Sequence, residues 1–177
     1  MNSPLQKIAF GGGCHWCTEA IFQSLIGVQK VDQGFVASDG ISSSFSEAVV
    51  LHFDKKAISL EDLIEVHIHT HKSTSNHSMR KKYRSAVYTF SENQHKEAIR
   101  ALDKLKELSD RDIVTEVLPF KAFRPSEEQF NNYYYTNPKK PFCQNHIQPK
   151  LKLLLERFQE HTNRDMLHSS FNELKRP

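Results

Sequence analysis

The order of the predicted strands and helices constrains the fold of this chain more than any other feature. Alternating or continuously apolar stretches predict strands at 7–10, 28–36, 44–53 and 85–90. Helical periodicity with capping residues predicts helices at 14–26 and 59–68. This β-α-β-β-α-β order is the split βαβ pattern of a ferredoxin-like two-layer sandwich. Later stretches add a helix at 91–108, a strand at 113–118 and C-terminal helices, so we predict an α+β fold.

The chain has the size of one domain. Its 177 residues are 38% hydrophobic, which is enough for a core, and no linker, repeat or low-complexity stretch divides them. We expect a single functional domain over residues 1–160 and a polar C-terminal tail over residues 161–177.

Charge and hydropathy argue against several classes of protein. The net charge is only +3, and we interpret the cluster Arg80-Lys81-Lys82 with Arg84 as a solvated face rather than a nucleic-acid site. No apolar run approaches the roughly 18 residues of a membrane helix, and residues 1–10 lack the pattern of a secretory signal. The three cysteines are few and odd in number, which argues against a disulfide scaffold. We therefore expect a cytoplasmic monomer that binds neither nucleic acid nor membranes.

Cys14 stands where the first predicted strand passes through three glycines into a helix. Unpaired N–H groups and the helix dipole at such a position stabilise a thiolate, as a nucleophile requires. Cys17 follows three residues later and forms a CxxC pair with it. A buried free thiol, a zinc site completed by Cys143 and histidines, and thiol redox chemistry all fit this spacing. The glycine run favours redox chemistry.

Four histidines raise the question of a metal site. His67 and His71 share a predicted helix face, and His69 and His77 lie nearby. No further ligand is evident, and the glutamate of a metalloprotease motif is missing between the first two. We interpret these histidines as core or surface residues and expect no metal.

Four separated blocks of the chain resemble peptide methionine sulfoxide reductase A. The first, Gly12-Gly13-Cys14-His15-Trp16-Cys17, is similar to the family's Gly-Cys-Phe-Trp signature. The other three follow in the family's order over roughly residues 6–155: Ser46–Val49, Tyr83–Tyr88, and a last block that comprises Phe123–Glu128, Tyr133, Asn137-Pro138 and Phe142-Cys143. This resemblance implies a catalytic domain that reduces the S epimer of methionine sulfoxide, either in oxidised proteins or as the free amino acid.

The resemblance also implies a role for each matching residue. Cys14 would attack the sulfoxide sulfur and become a sulfenic acid. Glu47 would be the acid, since a carboxyl group among apolar residues can hold a proton at neutral pH. Tyr83 and Tyr133 would hydrogen-bond the sulfoxide oxygen, and Trp16 would line the pocket for the substrate's methyl group.

Three positions of the implied substrate pocket depart from the family pattern. His15 replaces a phenylalanine, which places a titratable ring beside Cys14. Phe35 replaces a hydrogen-bonding tyrosine, and Ser78 replaces an aspartate. We expect these changes to affect affinity, rate and stereospecificity, while the nucleophile and the acid remain.

Turnover requires a second thiol and an external reductant. The resemblance makes Cys143 the resolving cysteine and Cys17 its rival, and we expect Cys143 to react first and Cys17 to join a relay. Thioredoxin would supply the dithiol, and no bound cofactor is needed. The alternative is a CxxC redox sensor or thiol–disulfide exchange module without reductase activity.

Overall fold

The computed structural model describes residues 4–177 and is built on one six-stranded sheet. The strands are β1 (Gln6–Gly11), β2 (Val28–Ala37), β3 (Ser46–Phe53), β4 (Ala86–Thr89), β5 (Glu116–Pro119) and β6 (Ala122–Pro125). Their order across the sheet is β5-β4-β1-β3-β2-β6. Neighbouring strands are antiparallel except β4 and β5, which are parallel.

Six α-helices and several shorter turns surround this sheet. The helices are α1 (His15–Gln23), α2 (Leu60–Thr70), α3 (Glu92–Leu108), α4 (Tyr133–Thr136), α5 (Gln148–Arg157) and α6 (Arg164–Leu174). A π-helical turn, Cys143–Ile147, leads directly into α5. The start of α2 has the expected cap, because the Ser59 hydroxyl accepts the Asp62 N–H and the Asp62 carboxylate accepts the Ser59 N–H. The described residues thus form a mixed α/β fold, as predicted.

Alternation along the strands produces two apolar clusters. On β1, Ile8 and Phe10 face the larger one, where the Phe10 ring stacks on Phe22 of α1 with centroids 4.8 Å apart. Ala9, between them, faces the smaller cluster with Tyr88 of β4. The catalytic cysteine candidates Cys17 and Cys143 belong to the larger cluster, so the helical layer holds both thiols.

Two elements need comment: the end of α1 and the segment before α4. Helix α1 ends at Gln23 instead of residue 26, because the Ser24 hydroxyl bonds back to the Ala20 carbonyl at 2.6 Å and the chain then turns away. The first of the C-terminal helical segments is a three-ten turn, Glu128–Phe130, followed by α4. Asn132 separates them with a left-handed φ of 55°.

Two short strands at the sheet edges also differ from the prediction. The strand expected at 113–118 begins only at Glu116. Strand β6 was not predicted, because four residues with Arg124 and Pro125 carry too little alternation to indicate a strand. It pairs with the end of β2, and its Arg124 lies opposite Phe35.

The C-terminal segment expected as a polar tail contains an ordered helix. The Asn163 side chain accepts the Met166 N–H and begins α6, whose Leu167 is fully buried. The Ser170 hydroxyl lies 3.1 Å from the Tyr134 hydroxyl, and Thr162 forms an antiparallel bridge with Leu25. Only four of the eleven residues of α6 are apolar (Met166, Leu167, Phe171 and Leu174), which is a weak sequence signal and explains why the helix was not predicted.

Within the described residues, no helix is both long and apolar enough to cross a membrane.

Candidate active site

The glycine loop after β1 is shaped by the residues packed against it. Gly12 has a φ of 155°, and a Cβ atom there would lie 2.5 Å from Cδ2 of His71. A Cβ on Gly11 would lie 2.9 Å from the carbonyl oxygens of Glu47 and Arg84. Gly13 has open space around it. The loop therefore needs glycine at its first two positions, where it passes over His71 and between two strands.

Cys14 caps the N-terminus of α1, as its sequence position predicts. Its carbonyl accepts the N–H groups of Cys17 and Thr18 at 3.1 and 3.2 Å, while its side chain caps no backbone group. The residue is half-buried, whereas Cys17 and Cys143 are buried. Cys14 is thus the most exposed of the three thiols.

The thiols of Cys14 and Cys17 form a coupled pair. Their mutual hydrogen bond raises the pKa of Cys14, with burial acting in the same direction, and lowers the pKa of Cys17. Burial raises the pKa of Cys143. In a coupled pair the first ionisation belongs to both groups. Within the pair, these shifts favour the negative charge on Cys17 over Cys14, whereas the position at the helix start was expected to favour a Cys14 thiolate.

Glu47 lies beside the first turn of α1. It is 9% exposed, and its Oε2 accepts the His15 backbone N–H at 3.1 Å. The Lys82 Nζ lies 3.9 Å from its other oxygen, at the mouth of the site. The carboxyl group is therefore fixed one residue from Cys14, between the helix and the solvent.

The His15 ring is tied to strand β2. Its Nδ1 donates to the Gly34 carbonyl at 2.7 Å, and its edge contacts the Phe35 ring at a centroid distance of 5.1 Å. His15 is only 5% exposed. A hydrogen-bonded imidazole is therefore buried at the position where the family pattern has an apolar phenylalanine ring.

An aromatic cluster forms the opposite side of the site. The Trp16 and Tyr133 rings stack at 4.1 Å with an interplanar angle of 8°, and the rings of Phe130 and Phe142 flank Trp16 at 5.6 and 5.4 Å. Burial and the nearby thiols of Cys143 and Cys14 raise the pKa of Tyr133. Its hydroxyl therefore stays protonated and available as a hydrogen-bond donor.

Glu19 is a functional residue that sequence reasoning missed. It is 1% exposed, and its carboxylate accepts the backbone N–H groups of Asn132 and Tyr133, both at 3.0 Å, and the Gln33 amide at 3.1 Å. Burial is the largest influence on the pKa of Glu19 and raises it. The residue links α1 to α4 and so holds Tyr133 against Trp16. Its position directly before the apolar run Ala20–Phe22 was the available signal.

Tyr83 and Ser78 differ in their burial. Tyr83 is half-buried beside Lys82, whose Nζ lies 5.0 Å from the Tyr83 ring centroid. Ser78 is exposed on the preceding turn and makes no hydrogen bond to the other described residues. Arg80, also missed as a site residue, donates to the carbonyls of Gly12 and Tyr83 at 2.8 and 3.0 Å. It thereby joins the glycine loop to the Tyr83 segment.

His67 and His71 form a buried stack beneath the glycine loop, with ring centroids 4.1 Å apart. His67 Nε2 donates to the Gly11 carbonyl at 2.7 Å, and His71 Nε2 lies 2.7 Å from the Ser85 hydroxyl. Burial lowers the pKa of His67 and lowers that of His71 to about 4. Both rings are therefore neutral at pH 7. Among residues 4–177, no group of three or more His, Cys, Asp or Glu is arranged to hold a metal.

We expect the free energy of unfolding to fall by about 2 kcal/mol between pH 7 and pH 5 through His71 alone. An unfolded histidine has a pKa of about 6.5, whereas the folded pKa of His71 is about 4. Because the fold favours the neutral ring, its stabilisation is complete above about pH 6.5 and is lost as the pH falls towards 4. Urea unfolding at both pH values measures the change.

Two variants separate this effect from other titrations. His71→Phe removes the titrating ring and should make unfolding less dependent on pH. His168→Gln, at an exposed position on α6, should leave the pH dependence unchanged. A His71→Phe protein with the wild-type pH dependence would contradict the assignment.

Comparison with known proteins shows the family of the chain. Residues 6–163 match the sequence profile of the family described as peptide methionine sulfoxide reductase. The chain belongs to this family. Peptide methionine sulfoxide reductase MsrA of Acinetobacter baumannii (strain SDF) is 34% identical over 169 residues, which cover 88% of this chain and 97% of the relative. The MsrA of Psychrobacter sp. (strain PRwf-1) is 34% identical, with coverages of 89% and 98%.

Solved structures of the family share the fold. The reduced form of Mxr1 from Saccharomyces cerevisiae superposes with a TM-score of 0.70 at 23% identity, over 81% of this chain and 91% of that one. Methionine sulfoxide reductase A of Corynebacterium diphtheriae gives 0.64 at 23% identity, over 76% of each chain. A complex of Mxr1 with Trx2 gives 0.59 at 21% identity, over 71% and 84%. The expected family relationship is confirmed.

Proposed function

We propose that the protein reduces the S epimer of methionine sulfoxide, in peptides or as the free amino acid, with Cys14 as the nucleophile. The arrangement around Cys14 carries this proposal. A thiol at a helix start lies between the carboxyl group of Glu47 and the Trp16–Tyr133 stack. Family membership supports the reductase over the alternative, a redox sensor without catalytic activity.

The reaction transfers one oxygen atom and two electrons. The Cys14 sulfur attacks the sulfoxide sulfur, the S–O bond breaks, and Cys14 ends as a sulfenic acid while methionine leaves as a thioether. Glu47 donates a proton to the sulfoxide oxygen as this bond weakens. Tyr133 and Tyr83 hydrogen-bond the same oxygen, and Trp16 packs against the methyl group of the substrate.

The three residues that depart from the family pattern shape the pocket. His15 and Phe35 form its floor through their ring contact, so the apolar surface that remains for the methyl group is smaller than two aromatic rings would give. Ser78 lies at the exposed rim, where it contributes hydrogen bonding to a peptide rather than to the reacting sulfur.

Residues 1–160 act as one catalytic domain around a ferredoxin-like unit. The strand order β4-β1-β3-β2 with antiparallel pairing supports this description, and β5, β6 and the C-terminal helices are additions to it. Helix α6 from the segment 161–177 covers the outside of α4 through Tyr134 and Ser170. We propose that the protein acts as a monomer.

The sulfenic acid is resolved by a relay through the two other thiols. Cys17 lies on the first turn of α1 next to Cys14, whose pKa it raises, and attacks first, forming a disulfide and releasing water. Cys143, buried in the same apolar cluster as Cys17, then attacks the Cys17 sulfur, which frees the Cys14 thiol. The resemblance implies the other order, in which Cys143 attacks Cys14 first.

An external dithiol returns the Cys17–Cys143 disulfide to thiols, and we propose thioredoxin. The similar fold of Mxr1 in its complex with Trx2 supports a thioredoxin partner. The chemistry needs no bound cofactor, since sulfur atoms carry every electron. Three free thiols and the need for a dithiol reductant favour a cytoplasmic location.

The relay predicts different oxidised products for two cysteine variants. After one equivalent of substrate, Cys143→Ser should accumulate the Cys14–Cys17 disulfide, whereas Cys17→Ser should retain a sulfenic acid on Cys14. Peptide mapping by mass spectrometry, with a sulfenic acid trap, distinguishes these products. A Cys14–Cys143 disulfide as the first product of the wild-type protein would contradict the relay. Thioredoxin-driven turnover should fall in both variants.

Reduction of the two chiral sulfoxides tests the function itself. With dithiothreitol as reductant, we expect chromatography to detect methionine from the S epimer and none from the R epimer. No consumption of either epimer by protein with an intact Cys14 thiol would overturn the reductase and favour the sensor.

A further inference from the structure

Three basic side chains lie around the rim of the candidate active site. Lys82 Nζ lies 3.9 Å from a Glu47 oxygen, and Lys140 Nζ lies 4.1 Å from the centroid of the Tyr133 ring. The Arg124 guanidinium lies 4.8 Å from the centroid of the Phe35 ring, whose edge contacts His15. Each cation therefore adjoins a different residue of the site, so the opening next to Cys14 is positively charged on three sides.

Contacts with aromatic rings hold these cations in place. Lys82 lies over Tyr83 at 5.0 Å, and Arg124 lies over Phe45 as well as Phe35, at 4.8 Å from each centroid. Cation–π contacts attract each head group to the ring face and so restrict its motion. The cations thus keep their charge at the opening instead of extending freely into solvent.

The charge of this rim is largely uncompensated. In the described part of the chain, no carboxylate oxygen lies within 4.0 Å of a nitrogen of Arg124 or Lys140, and the Lys82 side chain is 55% exposed. The exposed Glu127 and Glu128 follow β6 without reaching either cation.

Neighbouring arginines have a different role. Arg80 is occupied by backbone carbonyls, and Arg84 donates to Ser44 and to the Tyr88 hydroxyl. Their guanidinium groups stabilise the loops, whereas the three rim cations have capacity for an outside partner.

We propose that this rim recognises carboxylate side chains that flank the oxidised methionine, so that acidic peptide segments are the preferred substrates. This inference rests on the proposed reductase function. Carboxylates on both sides of the methionine would pair with Arg124 and Lys140, and Lys82 would add to the attraction. Exposed ion pairs are individually weak, so two or three pairs yield a preference of about tenfold over a basic peptide.

Three peptides of equal length test the proposal, with methionine S-sulfoxide between two Asp, two Asn or two Lys residues. The measured quantity is kcat/KM with dithiothreitol, whose neutrality avoids a charged protein reductant. At an ionic strength of about 0.02 M, the Asp peptide should exceed the Lys peptide about tenfold, with the Asn peptide between them. At about 0.5 M the ratio should fall to about twofold, since salt screens exposed charges.

Charge-reversal variants identify the residues responsible. The double variant Arg124→Glu with Lys140→Glu should bring the ratio to one or invert it, whereas Lys106→Glu, on the last turn of α3, should leave it unchanged. Because the ratio compares two peptides on the same protein, a partial loss of folded protein cancels. Equal kcat/KM values for the three peptides, or an unaltered ratio in the double variant, would overturn the preference alone. No turnover of any peptide would overturn the reductase function, and the preference with it.

Discussion

Replacement of Cys14 by serine is expected to abolish reduction of methionine sulfoxide, with a loss of at least about a thousandfold in kcat. A serine hydroxyl does not ionise near neutral pH and does not accept the sulfoxide oxygen. The Cys14→Ser protein should still fold, because the side chain at this position is half-buried and caps no backbone group. Chromatographic detection of methionine in steady state measures the loss.

Single-turnover measurements separate the nucleophile from the resolving thiols. Without a reductant, Cys143→Ser should release about one equivalent of methionine per protein, because the first step needs only Cys14. Cys14→Ser should release none. If Cys14→Ser produced one equivalent, a different thiol would be the nucleophile, and the arrangement at the start of α1 would have another purpose.

The position of Cys14 could be predicted because its causes are local in the sequence. A strand, a glycine run and a helical period follow one another within about twenty residues, and together they determine where the thiol lies. The resemblance added Tyr133 and Trp16 to the predicted site, and in the structure their rings stack with centroids 4.1 Å apart. The stacking itself was beyond sequence reasoning, since it depends on the break at Asn132.

The hydrogen bonds that hold the site together could not be predicted, because they join segments that are distant in the sequence. Glu19 binds backbone groups of Asn132 and Tyr133, more than 110 residues away, and such contacts leave no periodic pattern. Arg80 was assigned to a solvated face on the basis of its basic neighbours, yet its guanidinium binds carbonyls of the glycine loop. A charge cluster in a sequence does not distinguish cations directed to solvent from those directed to backbone carbonyls.

The sequence spacing of the three cysteines also did not determine how close their thiols lie to one another. The resemblance makes Cys143 the resolving cysteine, which has to reach Cys14. The structure has Cys143 fully buried at the start of a π-helical turn. π-Helical turns often occur at functional sites, and widening a helix by one residue alters which side chains face the core. Local unwinding of this turn would expose the Cys17–Cys143 disulfide to a dithiol.

Replacement of Glu47 by glutamine is expected to lower kcat for the S sulfoxide by about 10²–10³-fold, while KM changes little. Glutamine has nearly the same shape, and its amide oxygen can still accept the His15 N–H. It lacks the acidic proton that the leaving oxygen requires. The loss corresponds to about 3–4 kcal/mol of transition-state stabilisation. Single-turnover release of methionine measures it free of the later disulfide steps.

Two comparisons determine whether the effect is chemical or structural. Alkylation of Cys14 by iodoacetamide, which needs no acid, should proceed at a similar rate in the wild-type protein and in Glu47→Gln. Glu19→Gln is the matched control, because it also changes a buried carboxyl group near α1 but one that binds backbone groups of α4. Glu19→Gln should lower kcat less than Glu47→Gln does. It should raise KM, because Tyr133 is then held less firmly. If Glu47→Gln retained kcat within about threefold, proton donation would have to come from Tyr83 or Tyr133, and Glu47 would serve only to hold the first turn of α1.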